Sequence, residues 1–357
     1  MKSSADFEAC LLGGAIGDAL AAPIEFSHYP RILEELGPEG LRDFVTWQHY
    51  GLDARGCFTD DTQMTLFSAD GLVRAWLHAE DKGNAQGYRR QTHRAYLRWY
   101  ATQAMAFDMR EWEEDQEAGW LMGMEELHRR MAPGNTCMTS LESGRRGGAG
   151  SDQRYNDSKG CGTVMRVAPA GLLNGGLLMD AWDLGCDLGA ITHGHETGIQ
   201  SGGAFAVMLD ALVGGADLPA AVEASLERVT DRATKAAIRR AVTAAETETA
   251  DVRAVESLGG GWVAEEALSI ALFCALKHPD NFKEAVLLAA NHSGDSDSTA
   301  AICGNIVGLM VGLDGIPSAW REEVQMSEVI REVGRDLHAL RAGTPRPSDL
   351  EDRYPFR

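Results

Sequence analysis

The chain is poor in strand signals. No run of β-branched residues alternates with polar ones, and no Asn-Gly turn joins two such runs. A sandwich or barrel is therefore not expected, and the chain reads as all-α. Basic residues are also scarce: 33 Lys and Arg stand against 53 Asp and Glu, a formal net charge of −20. That balance argues against a nucleic-acid or anionic-membrane surface. It also repels anionic ligands at long range, so a phosphate-bearing ligand would need backbone amides, helix N-termini or bound cations at its site. No stretch approaches roughly 18 apolar residues without a break, so no transmembrane helix is expected. The start, Met1-Lys-Ser-Ser-Ala-Asp-Phe-Glu, lacks the long apolar core of a secretory signal. The seven cysteines (10, 57, 137, 161, 186, 274 and 303) are odd in number, scattered, and form no C-x-x-C. Reduced, mostly buried thiols in a cytoplasmic protein are the expectation. There is no Walker A sequence and no G-x-G-x-x-G, and His193 and His195, two residues apart, cannot share a helix face as a zinc pair does.

What is present is enough for a core: 44% hydrophobic residues in a 357-residue chain with no evident linker. The pattern predicts one multi-helix domain over residues 1–341 and a loosely packed tail over 342–357. Residues 6–22 read as a helix rich in small residues, with Asp18 inside the apolar run, Pro23 ending it and Glu25 in the loop beyond. Residues 30–56 look irregular, and a helix begins near Thr59. Residues 88–132 suit two or three amphipathic helices whose aromatics (Tyr88, Tyr96, Trp99, Tyr100, Trp112, Trp120) serve the core. Residues 133–163 read as a long Gly/Ser-rich connection. Within it, Gly160 and Gly162 free backbone amides to face a ligand, ahead of a helix from Val164. Helices then flank 191–198, cover 219–256, and run over 264–276 and 281–290 around a Gly259–Trp262 turn.

Two acidic stretches carry the chemistry. In Asn291-His-Ser-Gly-Asp-Ser-Asp-Ser-Thr299, Asp295 and Asp297 are crowded by hydroxyls at the head of a small-residue apolar helix. In Thr59-Asp60-Asp61, a hydroxyl and two carboxylates again open a helix. Helix capping is the simpler reading of each, since Ser, Thr and Asp are favoured caps. Two adjacent aspartates, however, are more than a cap needs. If the two helix starts face each other, at least four carboxylates converge, and like charges that close stay ionised only with cations between them. Hard oxygen donors of this kind suit Mg²⁺, Mn²⁺ or Ca²⁺ rather than zinc. A pair of divalent cations is the expectation. Asp18 reads as a buried hydrogen-bonding residue, with a position behind that site as the sharper version.

These residues resemble a known family. Gly13-Gly-Ala-Ile-Gly-Asp-Ala-Leu-Ala-Ala-Pro-Ile-Glu25, Phe58-Thr-Asp-Asp-Thr-Gln63, Gly162-Thr-Val-Met-Arg166, Thr192-His193 and Gly294-Asp-Ser-Asp-Ser-Thr299 are similar, in order, to motifs of the ADP-ribosylglycohydrolases. That family includes the dinitrogenase-reductase-activating glycohydrolases and the mammalian ADP-ribosyl-acceptor hydrolases. The resemblance implies an all-α fold with a binuclear Mg²⁺ (or Mn²⁺) site in a central cleft. By motif position the metal ligands would be Thr59, Asp60, Asp61, Asp295, Asp297 and Ser298, the last standing where many relatives carry Thr. Asp60, Asp61 or Asp297 would act as base, and Glu25 falls where some relatives place a glutamate near the scissile bond. Gly160, Gly162, Thr163, Arg166 and His193 would lie around the ADP-ribose. The implied reaction is hydrolysis at C1″ of the distal ribose of an ADP-ribosylated protein, with arginine as the favoured acceptor and ADP-ribose as product, in a bacterial setting. Hydrolysis of a small ADP-ribose ester or related nucleoside, or a non-catalytic crystallin-like role, are the alternatives the resemblance leaves.

Overall fold

In the computed structural model, residues 1–49, 52–83, 87–103, 118–147, 156–174 and 179–356 are described. The fold is all-α. Its centre is a pair of helices made of small and apolar residues, α1 (Ser4–Ala21) and, near the end of the chain, Ser296–Gly315. From Phe7 to Ala21 every residue of α1 is buried, so the helix has no solvent face. Between them come α2 (Tyr29–Leu36), α3 (Asp60–Lys82), α4 (Tyr88–Gln103), α5 (Asn135–Gly147), α6 (Ala168–Leu173), α7 (Ala181–Ala190) and α8 (Glu196–Gly214). Then follow α9 (Leu218–Arg228), α10 (Arg232–Thr247), α11 (Val252–Ser257), α12 (Ala264–Lys277) and α13 (Phe282–Ala290). Ser296–Gly315 is α14, and α15 (Ser318–Glu323), α16 (Ser327–Ala342) and α17 (Leu350–Arg353) close the chain.

Glycine lets α1 and α14 approach closely. A Cβ on Gly17 would sit 2.1 Å from the Ala300 carbonyl oxygen, and one on Gly304 would sit 2.1 Å from that of Gly13. The glycines cost each helix intrinsic propensity, about 1 kcal/mol apiece relative to alanine, and the close contact offsets it. Asn305 adds a cross-tie, donating from Nδ2 to the Cys10 carbonyl at 2.8 Å. Both helices match a membrane span by length and composition, yet 94% and 67% of the residues concerned are buried here, spent on the protein's own core.

Some sequence expectations are corrected. Residues 30–56 include a small antiparallel hairpin, β1 (Trp47–His49) on β2 (Leu52–Ala54), with Trp47 opposite Ala54. The expected irregular 133–163 segment contains α5, whose Cys137 and Leu141, one turn apart, are buried against the core. Its glycine content masked that i, i+4 pair. Among the described residues, the 88–132 region holds α4, then two short 3₁₀ turns at Trp120–Gly123 and Glu125–His128; residues 104–117, Trp112 among them, lie outside the described residues. Tyr96, Trp99 and Tyr100 are buried, as expected of core aromatics.

The tail is not loose. Leu350, Tyr354 and Phe356 are buried, Tyr354 completely. Arg353 donates to Asp336 at 2.7 Å and Tyr354 donates to the same carboxylate at 2.9 Å. Arg74, which pairs with the buried Asp70 beside Arg98, also reaches the Pro355 carbonyl. Its Pro- and charge-rich composition hid three apolar anchors whose partners are far away in sequence.

Candidate active site

Three elements bring carboxylates to one place. The turn after α1 supplies Glu25, the N-terminus of α3 supplies Asp60 and Asp61, and the N-terminus of α14 supplies Asp295 and Asp297. One oxygen each of Glu25, Asp295 and Asp297 lies within 4.8 Å of the others. The two helix starts touch directly: the Thr59 hydroxyl donates to Asp297 Oδ2 at 3.2 Å. The expected facing of the two acidic stretches is therefore what the fold produces.

Each helix start is built to keep its carboxylates free. Thr59 takes the cap position of α3, accepting from the Asp61 N–H at 3.4 Å. Its hydroxyl thus leaves Asp60 and Asp61 for other duties. Asp295 occupies the cap position of α14 but makes no side-chain cap bond. The capping reading of the sequence fails there, and the carboxylate points elsewhere. Gly294 makes this possible: its φ is +149°, and a Cβ would meet the Gly260 carbonyl at 2.0 Å. The Asp295 N–H donates to that same carbonyl at 2.8 Å, locking the turn.

Asp18 stands behind the site. Fully buried in α1, it accepts from the Thr59 N–H at 2.9 Å, the Thr62 N–H at 3.0 Å and the Thr62 hydroxyl at 2.6 Å. One carboxylate thereby satisfies two otherwise orphaned amides at the head of α3. Asp60 is held by the Gly134 N–H at 3.2 Å and Asp297 by the Ser298 N–H at 2.9 Å.

The electrostatics are those of a site short of positive charge. Burial first, then the charge of Asp297, pushes Asp18 up to about 7. Burial, with Asp297 and Asp295 next, pushes Glu25 up to about 11. Burial also holds Asp60, Asp61 and Asp295 well above the carboxylate range and raises Asp297. The charges that raise these groups belong to one another's carboxylates. Asp61 Oδ2 is buried with no hydrogen-bond donor among the described residues. An orphaned anionic oxygen amid like charges is costly unless a cation sits there. The donor set, all oxygen, fits a hard divalent cation.

The other residues singled out in the sequence fall into two groups. Ser298 belongs to the cluster, adjoining Asp297 with its hydroxyl turned toward Cys161 and Met165. Gly160 and Gly162 pack on the His193 ring, where a Cβ on Gly162 would come within 2.9 Å of Cε1. His193 is 3% exposed, hydrogen-bonded through Nδ1 to Thr192, and lowered to about 3 by burial and then by Arg166, so it is neutral. Thr163 and Arg166 are 0% exposed and do not line an open cleft. Arg166 donates to the Leu188 carbonyl and the Thr192 hydroxyl and lies over the Tyr96 ring. Thr163 donates to the Gly160 carbonyl. The sequence marked these two as substrate contacts; the fold uses them to brace the 158–166 segment from behind, because buried donors must find internal partners.

A cavity of about 370 Å³ opens beside Glu25, lined by Phe26, His28, Arg31 and Trp47 among others. At its rim Phe26, 75% exposed, stacks on Trp262, 45% exposed, with ring centres 5.5 Å apart. The sequence reading missed Phe26, because nothing local distinguishes an exposed aromatic from a buried one.

An all-α chain with two acidic helix starts meeting below such a cleft defines a class, and the chain belongs to it: its residues 3–347 match the ADP-ribosylglycohydrolase family. Over 333 residues it is 27% identical to the ADP-ribosylarginine hydrolase Tri1 of Pseudomonas putida, covering 92% of this chain and 76% of that one. It is 24% identical to the ADP-ribosyl-(dinitrogen reductase) glycohydrolase of Rhodospirillum rubrum, over 93% and 94% of the two chains. The solved structure of an ADP-ribosylglycohydrolase-related protein complex shares the fold, with a TM-score of 0.68 at 22% identity over 94% of this chain and 98% of that one.

Proposed function

We propose that this protein is a metal-dependent hydrolase that cleaves the glycosidic bond between ADP-ribose and a modified protein side chain, with arginine as the acceptor. The observation that carries the reading is the meeting of Glu25, Asp295 and Asp297 with the head of α3, where Asp61 keeps a buried, unpaired oxygen. Thr59, Asp60, Asp61, Asp295, Asp297 and Ser298 would hold two Mg²⁺, or Mn²⁺ in their place. Bound there, the cations would supply positive charge for the hydroxyls of the distal ribose and acidify water. Asp60, Asp61 or Asp297 would serve as the base that takes a proton from the attacking water. Glu25, half-buried and lining the cavity, would lie on the substrate side of the cluster, near the scissile bond. The reacting ribose gains positive character at C1″, and the surrounding carboxylates oppose its charge. The names of the P. putida and R. rubrum relatives support the substrate class, and the former supports arginine.

The test is release of ADP-ribose from ADP-ribosyl-arginine and ADP-ribosyl-serine peptides, with Mg²⁺ and with EDTA, beside an Asp61→Ala variant. Release from the arginine peptide alone, abolished by EDTA and lowered at least about 100-fold in the variant, is expected for loss of a group that supports transition-state charge. Undiminished release in EDTA would sink the mechanism. Preferential release from serine would move the acceptor.

A further inference from the structure

The turn over residues 259–262 lies between two loops of the site, and a side chain outside the carboxylate cluster holds it. On one side the Cys161 N–H donates to the Trp262 carbonyl at 3.2 Å, and the Ala264 N–H donates to the Lys159 carbonyl at 2.9 Å. On the other, the Asp295 N–H donates to the Gly260 carbonyl at 2.8 Å. Gly260 is held by its own N–H as well, which donates to Glu266 Oε2 at 2.9 Å. Glu266 belongs to the first turn of α12. An acidic residue there commonly serves only the helix, by facing its positive end or by reaching back to the cap N–H. Here the carboxylate passes the cap, Val263, and grips a residue three positions before it. The turn is shaped to receive it: a Cβ on Gly259, whose φ is +135°, would fall 2.4 Å from Glu266 Cδ. Gly261 rests on the ligand side, where a Cβ would come within 3.2 Å of the Asp295 Cβ.

We propose that Glu266 is a positioning residue for Asp295, acting through Gly260. The path is short: the Glu266 carboxylate holds the Gly260 N–H, and the Gly260 carbonyl holds the Asp295 N–H. That second bond sets the backbone from which the Asp295 side chain projects. The side chain makes no capping bond and is the one that meets Glu25 and Asp297. Without the carboxylate, Gly260 is free to turn about its own backbone bonds, as glycine does readily. The Asp295 N–H then loses a fixed acceptor, and the carboxylate loses its aim. The consequence for cation binding rests on the proposed function; the consequence for the Asp295 backbone does not.

Glu266→Ala, Glu266→Asp and Glu266→Gln test this on the full chain. Glutamine keeps an acceptor at the same reach, whereas aspartate keeps the charge and falls one methylene short. Ser269→Ala is the control for simple loss of stability, since it removes a buried hydroxyl of the same helix and its bond to the Ala237 carbonyl. Amide hydrogen exchange over residues 291–299 is followed by mass spectrometry in EDTA. Exchange roughly tenfold faster is expected in the Ala and Asp variants, the order that follows loss of a hydrogen bond to a charged group. Glu266→Gln and Ser269→Ala should stay near wild type. Calorimetric titration with Mg²⁺ is expected to show binding about 10–100-fold weaker in the Ala and Asp variants, with the other two again near wild type. Wild-type exchange in Glu266→Ala and Glu266→Asp overturns the proposal, and so does Glu266→Gln exchanging as fast as Glu266→Asp. An equal rise in Ser269→Ala reduces Glu266 to a folding role. Mg²⁺ affinity that holds in every variant severs Glu266 from the cation site and leaves the proposed function standing. A wild-type chain that binds no Mg²⁺ overturns the metal reading, and the exchange data still decide the place of Glu266. Should Glu266→Ala not fold, the contrast between the Asp and Gln variants decides.

Discussion

At the scale of single residues, Asp18 shows how a site is held from behind. Its carboxylate takes three hydrogen bonds from Thr59 and Thr62, and so fixes the turn that presents Asp60 and Asp61. Asp18→Ala leaves those donors buried and unpaired, so a stability loss of about 2–3 kcal/mol is expected. A fall of roughly 10–100-fold in Mg²⁺ affinity should accompany it. Chemical denaturation and calorimetric titration read the two, and a variant that loses stability with metal affinity intact would limit Asp18 to folding. The carboxyls also set a pH dependence. A carboxyl whose pKa is raised by folding binds protons more tightly in the folded chain, so stability falls as pH climbs from 3.8 through the folded value, about 7 for Asp18. In EDTA the melting temperature is therefore expected to drop between pH 6 and pH 8. Mg²⁺ should raise it more at the higher pH, because a cation replaces the missing protons. A metal-free melting curve indifferent to pH across that window would contradict this.

At the scale of elements, the contact between α1 and α14 matters most. It aligns the Glu25 turn with Asp295 and Asp297, and it depends on carbonyls seated where side chains would otherwise be. Gly304→Ala drives a methyl into the Gly13 carbonyl, a backbone group that cannot swing aside. The expected cost is about 2 kcal/mol, within the usual range for overpacking, together with weaker Mg²⁺ binding because the helix heads separate. Unchanged thermal stability in this variant would mean the helices slide freely. Much at this level was readable beforehand: α1, the start of α3 and the helices around 191–198 fall close to where spacing and capping residues put them. The hairpin at Trp47–Ala54 was not, since three-residue strands leave too short an alternation to detect. The brace formed by Arg166 was not either, because a buried arginine and a ligand-binding arginine look alike until their partners are known.

At the scale of the whole molecule, the tail is a clasp. Its residues join α16 through Asp336 and α3 through Arg74, and α16 in turn grips α1 through Arg331 and Arg335 on Glu8. Deleting residues 344–357 exposes the surfaces that Leu350, Tyr354 and Phe356 cover. At about 1.5–3 kcal/mol per buried large side chain, a loss of several kcal/mol is expected. Thermal unfolding of the truncated chain checks it, and a melting temperature equal to the full chain's would return the tail to the loose segment its composition suggested.

The amino-acid sequence by itself determined the helical class, the two acidic helix starts and the likeness to the ADP-ribosylglycohydrolases, because periodicity, capping residues and motif order are local or sequential properties. It also paired Asp295 and Asp297 with Asp60 and Asp61 as a hypothesis. Tertiary structure alone decided the rest. Glu25 joins the cluster because close packing of α1 on α14 brings the turn there. Asp295 is released from capping because Gly294 turns the backbone. Asp61 is left with an unpaired oxygen, and Cys161 is set beside Ser298. Each of these outcomes turns on which distant side chains share one low-dielectric space, and that is a property of packing.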